Sequence, residues 1–537
     1  MSAAAERTGA GVLAARLKAA GVTHAFGIPG GEVLALIEAL EAAGIAFRLA
    51  RHENAAGFMA EGAWHATGSP PVLVATVGPG LANAVNVIAN AAQDRVPLIA
   101  ISGMVDPAEA ARYTHQVFDH AALMRQLCKA SYRLVDGAVD VLADKALRLA
   151  MDGRAGPVHL DLPIAVATGH QSERGHRPPK TAQRGAPVPG PALDAARALW
   201  QGARKPIAIA GLDVLAEPDG PAAVRAFVER HGVPLVTTYK AKGVLPEDHA
   251  LSLGGHGLSP AADKLVLPAF AEADCVLALG YDPIEMRAGW RDPWTPSRAI
   301  EIAHAANDHD MHAADHAFVG SVAAGLAALD TVACAPVEPW HERHRAALVE
   351  AVRPGTAWGP DVAVAELLAA LPAEAVVTVD SGAHRILLSQ RFFTRRPRQL
   401  LQSSGLCTMG CALPLALGHA SAEPDRPAIA VMGDGCAEMV LGEFATLRDS
   451  GLPVVAVVIN DASLALIEMK QRREQRPNAG VDLGRTDFAA LARAFGGHGE
   501  TVTAPGEAGP ALGRALEAGR FALVEIAIPR QGYDGLI

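Results

Sequence analysis

Two oxygen-bearing side chains frame the chemistry open to this sequence. One is Asp434, inside Gly433-Asp434-Gly435; the other is Asn460, with 24 residues between it and Gly435. A carboxylate and an amide carbonyl are hard donors that suit Mg²⁺, an ion that keeps coordination positions for a substrate phosphate. The flanking glycines let a diphosphate approach backbone N–H groups at a helix start. For the triplet alone, the competing reading is an ordinary tight turn with an acidic residue at the N-cap. A carboxyl elsewhere, Glu53 in Arg51-His52-Glu53-Asn54, stands where a strand ends and a helix begins. It is either an acid–base group or a helix N-terminal carboxylate worth a few tenths to about 1 kcal/mol.

The elements around these residues read clearly. Two Val/Ile/Ala-rich runs, 427–432 and 454–459, are bounded by turn residues, as buried parallel strands are. Between them Met439, Leu441, Phe444 and Leu447 recur at roughly helical spacing, predicting one helix over 436–450. A strand–helix–strand unit points both strands the same way, so Asp434 and Asn460 leave one rim of the sheet, where open α/β folds bind ligands. Upstream, helices are expected over 12–20, 33–43 and 55–67, and strands over 24–27, 46–50, 72–76 and 97–102. Residues 28–31 and Gly78-Pro79-Gly80 read as turns. The pattern is a doubly wound parallel sheet. Residues 168–190 read as an exposed linker. A second α/β pattern with strands at 207–210, 235–238 and 276–279 ends near Cys334. A further linker over 336–360 leads to a strand at 376–379.

At this point the residues carry a family resemblance. Gly433-Asp434-Gly435 with Asn460 after the next strand resembles the thiamine-diphosphate motif of the 2-oxoacid decarboxylase and acetohydroxyacid synthase superfamily. The segment Arg51-His52-Glu53-Asn54-Ala55-Ala56-Gly57-Phe58 is similar to the one carrying that superfamily's glutamate. The resemblance implies that Glu53 hydrogen-bonds ring nitrogen N1′ of the cofactor's aminopyrimidine and favours its imino tautomer. It implies cofactor contacts at Gly80 and Asn83 in Thr76-Val77-Gly78-Pro79-Gly80-Leu81-Ala82-Asn83, with Val77 where a Ser is common. It implies them also at Ala383 and His384, at Gly433, Asp434, Gly435 and Asn460, and at Leu464. Asp434, Asn460 and Ala462 would ligate the Mg²⁺. In Gly405-Leu406-Cys407-Thr408-Met409-Gly410, Met409 would wedge between the cofactor rings and the Gly405 backbone would meet the aminopyrimidine. Core packing is the other reading of Met409, since Met fills many cores.

The resemblance spans essentially the whole chain and lies with the acetolactate synthase branch, particularly its catabolic, FAD-independent type. Thr114-His115-Gln116-Val117-Phe118-Asp119, Leu279-Gly280-Tyr281-Asp282, Ala241-Lys242-Gly243-Val244 and Val481-Asp482-Leu483-Gly484 support that placement. His115 and Gln116 would border the substrate pocket, unless they are solvent-facing loop residues or satisfied buried polar groups. The implied architecture is three doubly wound α/β domains with mainly parallel sheets. They would be a pyrimidine-binding domain over 1–175, a central one over 190–335 and a diphosphate-binding one over 358–537. The implied enzyme is a carboligase dependent on thiamine diphosphate and Mg²⁺. It decarboxylates a 2-oxoacid, with pyruvate the expected donor, and transfers the enamine to a second carbonyl. With pyruvate in both places the product is acetolactate. Alternatives are a non-oxidative 2-oxoacid decarboxylase, a C–C lyase with a different acceptor, and a cofactor-binding protein without catalysis. An oxidase would need tight FAD, which the biosynthetic synthases place in the central domain. No Gly-x-Gly-x-x-Gly follows a strand there, and FAD is not expected. The two half-sites would come from different subunits of a homodimer or homotetramer.

Two positions depart from the catabolic pattern. Where those enzymes carry Ala-Lys, this chain has Gly31-Glu32 after Ile28-Pro29-Gly30, so a carboxylate replaces a cation that could attract a 2-oxoacid. Where a Trp or Gln is usual past Asn460, Lys470 stands beside Gln471, either as an anion-binding group or as an exposed helix lysine.

Bulk properties bound the rest. A length of 537 residues suggests about three domains, and 50% hydrophobic with 4% aromatic content predicts Ala, Leu and Val cores. A net charge of −10 favours neither nucleic-acid nor anionic-membrane partners. Cys128, Cys275, Cys334, Cys407, Cys411 and Cys436 show no paired CxxC spacing and read as reduced thiols of a cytoplasmic protein. Cys407 and Cys411 stand at the spacing of one helical turn, and packing is favoured over zinc. The opening Met-Ser-Ala-Ala-Ala-Glu-Arg lacks a basic flank and apolar core, and no apolar run reaches spanning length. The expectation is a soluble, intracellular protein without a signal peptide.

Overall fold

A computed structural model describes residues 7–171, 184–332, 334, 337 and 339–537. The reading of the first six residues, most of the 168–190 linker, and Pro336 and Glu338 of the second linker lie outside the described residues. The chain forms three six-stranded parallel sheets, each covered by helices, and a two-stranded antiparallel ribbon pairing Arg7–Thr8 with His170–Gln171. The expectation of three doubly wound α/β units holds.

Numbered within each sheet in chain order, the N-terminal strands are His24–Gly27, Ala46–Leu49, Val72–Ala75, Ile99–Met104, Ala130–Arg133 and Val158–Pro163, arranged 2-1-3-4-6-5. The C-terminal strands are Val376–Val379, Leu400–Leu401, Ala428–Gly433, Val455–Asn460, His498–Val502 and Ala522–Ala527, in the same order. The central strands are Pro206–Ala210, Leu235–Thr238, Ser252–His256, Cys275–Leu279, Ala299–Ala303 and His316–Val319, arranged 3-2-1-4-5-6. The interior strands are buried on both faces, so they read as continuous apolar runs rather than alternating ones.

Several expectations change in detail. The helix expected over 436–450 is two, Asp434–Met439 and Glu443–Ser450, broken at Val440-Leu441-Gly442. The break turns Met439 outward, 64% exposed, while Phe444 and Leu447 stay buried. A helix, Glu342–Ala351, lies inside the expected 336–360 linker; none of its residues is buried, so it lacks the apolar stripe that would announce it. Cys407 lies in a loop with φ +56° and Cys411 caps the next helix, so they do not share a helical turn. All six thiols are free. No helix among the described residues is long and apolar enough to cross a membrane.

The N- and C-terminal units share one core. Helix Glu53–Thr67 packs on helix Ala412–Ala422, and Phe58, Met59, Leu413, Leu415 and Leu417 join one buried cluster. Two glycines set the closeness: a Cβ on Gly62 would lie 2.1 Å from the Leu415 carbonyl oxygen, and one on Gly418 1.8 Å from that of Met59. Backbone touches backbone there, which places the start of the first helix, and with it Glu53.

Candidate functional site

Strands Ala428–Gly433 and Val455–Asn460 pair in parallel with Gly433 opposite Ile459, so Asp434 and Asn460 do leave one carboxyl rim. Gly433 is the N-cap and Asp434 the first residue of its helix. Asp434 is buried; its Oδ1 accepts from the Gly435 amide at 2.8 Å, and its buried Oδ2 has no partner. Burial pushes its carboxyl up to about 6 against the pull of the Gly435, Ser463 and Ala462 amides. Asp461 beside it is also buried with a bare Oδ2, and burial plus the charge of Asp434 pushes it up to about 7. Asn460 is oriented by its amide, which donates to Glu525 Oε1 at 2.8 Å and to the Thr486 carbonyl at 3.3 Å. Its Oδ1 then accepts from the Ala462 amide at 3.1 Å. Ala462 sits at φ +55°, and its carbonyl accepts from the Leu483 amide at 3.1 Å. Two adjacent buried carboxylates with bare oxygens are costly unless a cation compensates them, so this donor set fits Mg²⁺.

Next to it lies a cradle of the right polarity. Ser381 Oγ and His384 Nε2 are buried and unpartnered. Burial, then the Arg385 charge, pushes His384 down to about 3, so its imidazole is neutral. A Cβ on Gly433 would stand 3.0 Å from the His384 ring, so only glycine leaves that wall free. Ala383 and His384 begin the helix Ala383–Arg391 and are both buried. At Gly435 the neighbours are apolar: a Cβ there would meet Leu464 at 3.0 Å, Leu483 at 3.3 Å and Met409 at 3.7 Å. Gly405 is held from elsewhere. The Asp94 carboxylate accepts from the Gly405 amide at 2.7 Å and the Ser404 amide at 3.1 Å, and Lys240 Nζ stands 3.1 Å from it.

The N-terminal half builds a second constellation. Helix Glu53–Thr67 begins at Glu53, two residues earlier than expected, with His52 as its cap. Glu53 is 5% exposed, and its Oε2 accepts from Asn83 Nδ2 at 3.0 Å. A Cβ on Gly80 would lie 2.9 Å from the Thr76 methyl and 3.3 Å from Glu53 Oε1. Gly80, Asn83 and Glu53 are thus brought together. His115 and Gln116 lie in an exposed segment; Gln116, at φ +59°, reaches the turn, its carbonyl oxygen 2.2 Å and its Cβ 3.2 Å from a Cβ placed on Gly78. Lys470 is exposed on helix Ala465–Arg473. Among the described residues no hydrogen bond or ion pair links Glu53, Gly80 or Asn83 to Asp434, Asn460 or His384. Sequence reasoning assigned no role to Asp461 or Ser381; the Asn460-Asp461 doublet at a strand end was the available signal.

Two other places have the outline of a ligand site but are already filled by the chain's own groups. His120, His159 and Asp161 lie within metal-ligand reach of one another, but their atoms are spent internally. Asp161 Oδ1 is 2.7 Å from His120 Nδ1 and 2.6 Å from Ser102 Oγ, and His159 Nε2 is 2.8 Å from that hydroxyl. In the central unit, the 3-2-1-4-5-6 order predicts a dinucleotide crevice between strands 1 and 4. There Gly211 and Gly280 close on each other: a Cβ on Gly211 would lie 2.5 Å from the Gly280 carbonyl oxygen. The helix start at Val322 is filled by Glu217, which accepts from the Val322 amide at 2.7 Å, the Ala323 amide at 3.1 Å and Ser321 Oγ at 2.9 Å. Burial would raise Glu217, but these bonds and His304 bring it down to about 2. A carboxylate of this chain therefore occupies that helix N-terminus.

Comparison with known proteins gives the same layout. Residues 7–123 match the thiamine pyrophosphate enzyme N-terminal TPP-binding domain, 193–329 the central domain and 380–526 the C-terminal TPP-binding domain. The acetolactate synthase isozyme 1 large subunit of Escherichia coli (strain K12) is 32% identical, over 91% of this chain and 88% of that protein. The acetolactate synthase of Bacillus subtilis (strain 168) is 30% identical, over 95% and 91%. The isozyme 2 large subunit of E. coli is 29% identical, over 95% and 94%.

Proposed function

The chain belongs to the thiamine pyrophosphate enzyme family, in the acetolactate synthase-like superfamily, and from that premise we propose a carboligase that decarboxylates a 2-oxoacid and joins the remainder to a second carbonyl. Pyruvate is the expected donor. One observation carries the site assignment: the unpartnered buried atoms Ser381 Oγ, His384 Nε2, Asp434 Oδ2 and Asp461 Oδ2 belong to residues at the carboxyl end of one sheet. That is the polar complement of a metal-bound diphosphate.

In this reading Asp434, Asn460 and the Ala462 carbonyl hold Mg²⁺, while Gly433, Gly435, Ala383 and His384 wall the diphosphate. Met409 and Leu464 give the ring system an apolar support, and Gly405 offers backbone to the aminopyrimidine. Gly80 and Asn83 shape the pocket at Glu53, whose carboxylate holds or moves the proton at the pyrimidine end. Bound thiamine diphosphate supplies the nucleophilic carbon and the electron sink for loss of CO₂. His115 and Gln116 border the substrate. The assembly is a homodimer or homotetramer in the cytoplasm, each site built from two chains.

The test is a screen of 2-oxoacids for CO₂ release with thiamine diphosphate and Mg²⁺, followed by product analysis with and without added aldehydes. Coupled products are expected. Aldehyde and CO₂ alone would make the protein a simple decarboxylase instead.

A further inference from the structure

A second carboxylate stands close to Glu53. Glu32 follows the first N-terminal strand, partly exposed, and its Oε2 accepts from Thr76 Oγ1 at 2.7 Å. Its Cβ would be 2.7 Å from a Cβ on Gly103, at the end of the strand Ile99–Met104, so it lies on the carboxyl rim. Thr76 turns its hydroxyl to Glu32 and its methyl to Gly80, where Glu53 Oε1 also abuts. A single threonine therefore separates the two carboxylates. Glu53 takes a bond from Asn83, whereas Glu32 takes one from the Thr76 hydroxyl. Among the described residues no Lys, Arg or His makes an ion pair with Glu32.

Resting on the carboligase reading above, we propose that Glu32 selects the acceptor, admitting a neutral carbonyl compound such as an aldehyde and excluding a second 2-oxoacid. Its charge bears differently on the two substrates. The donor's carboxylate leaves as CO₂, so repulsion from Glu32 is relieved as the bond breaks. An acceptor carboxylate stays in the product, and its repulsion lasts through bond formation. The reaction balances without an oxidant: 2-oxoacid, aldehyde and one proton give a 2-hydroxyketone and CO₂, one C–C bond breaking and one forming.

The test uses the holoprotein with Mg²⁺, thiamine diphosphate and pyruvate as donor, comparing acetaldehyde with a second pyruvate as acceptor. Glu32→Gln keeps the shape and an oxygen for the Thr76 hydroxyl while removing the charge. Wild type should favour acetaldehyde by about tenfold or more in kcat/KM, and the variant should narrow that ratio about tenfold. A readout independent of turnover is the affinity of the holoprotein for propionate against propionamide, followed by chemical-shift titration. Wild type should bind the amide at least about tenfold better, and Glu32→Gln should bring the two together. A preference for pyruvate as acceptor in wild type, or ratios that Glu32→Gln leaves unmoved, would overturn the proposal. Release of CO₂ with no coupled product from either acceptor would instead sink the carboligase reading. The propionate pair would then still decide whether Glu32 excludes anions.

Discussion

Glu53 and Asp434 are both buried carboxylates on short helical starts, yet their surroundings assign them opposite tasks. Glu53 is satisfied by Asn83 and close to Gly80, a place for moving one proton. Glu53→Gln should lower CO₂ release by about 10²–10⁴-fold while thiamine diphosphate affinity, measured by calorimetry, stays within about threefold. Asp434 keeps an oxygen bare; Asp434→Ala should abolish the magnesium-dependent part of the binding heat. Away from the site, His256 gives a pH signature. It is buried in the central unit, its Nε2 donates to the Leu253 carbonyl at 2.8 Å, and burial, with Lys242 adding its charge, pushes it down to about 4. Asp263 is 3.9 Å from its Nδ1, too far to bond, and is itself pushed up to about 6 by burial. A histidine depressed below its unfolded value contributes stability that is intact above about 6.5 and lost as pH falls toward 4, because the unfolded chain takes the proton first. The His256 share of that loss should reach about 3 kcal/mol, opposed by Asp263, whose raised carboxyl gains stability as pH falls through about 6. His256→Gln should remove the His256 share and lessen the fall of the urea midpoint across that window.

Helices and strands explain which of these features the sequence could announce. The strands His24–Gly27, Leu235–Thr238 and Val376–Val379 match their expected bounds, since each is an apolar run cut off by turn residues. Ser252–His256 and Leu400–Leu401 have no such run and went unread. Asp434 and Asn460 were legible because strand ends fix their rim, whereas Asp461 and Ser381 matter through burial, which only tertiary packing creates. The tightest such packing is also silent in sequence: Gly62 and Gly418 look like isolated helix glycines until their helices meet. Gly418→Val should cost about 3 kcal/mol in chemical denaturation and shift the helix that bears Glu53. Gly513, with nothing within 4 Å of a Cβ, is the contrasting case. Gly513→Ala should stabilise by about 0.5–1 kcal/mol.

At the scale of the molecule, the question is which chain's Glu53 serves which chain's Asp434. Within one chain, Arg51 lies against Gly442, and its amide donates to Glu443 Oε1 at 3.0 Å. Those residues follow the far end of the helix that Asp434 begins, and six helical residues span about 9 Å. The same chain's Glu53 segment is thus anchored past the wrong end of that helix. A carboxyl must come within hydrogen-bond reach of the group it serves, so in the proposed function a second chain would supply it. Co-expressing Glu53→Gln and Asp434→Ala chains discriminates the two cases. If each site takes its halves from two chains, a mixed dimer holds one site with both halves intact and one with both damaged. Random pairing makes about half the dimers mixed, so about a quarter of wild-type activity should return, although neither variant is active alone. If each chain completes its own site, every site in the mixture carries one lesion, and activity stays at the level of the weaker variants at every mixing ratio.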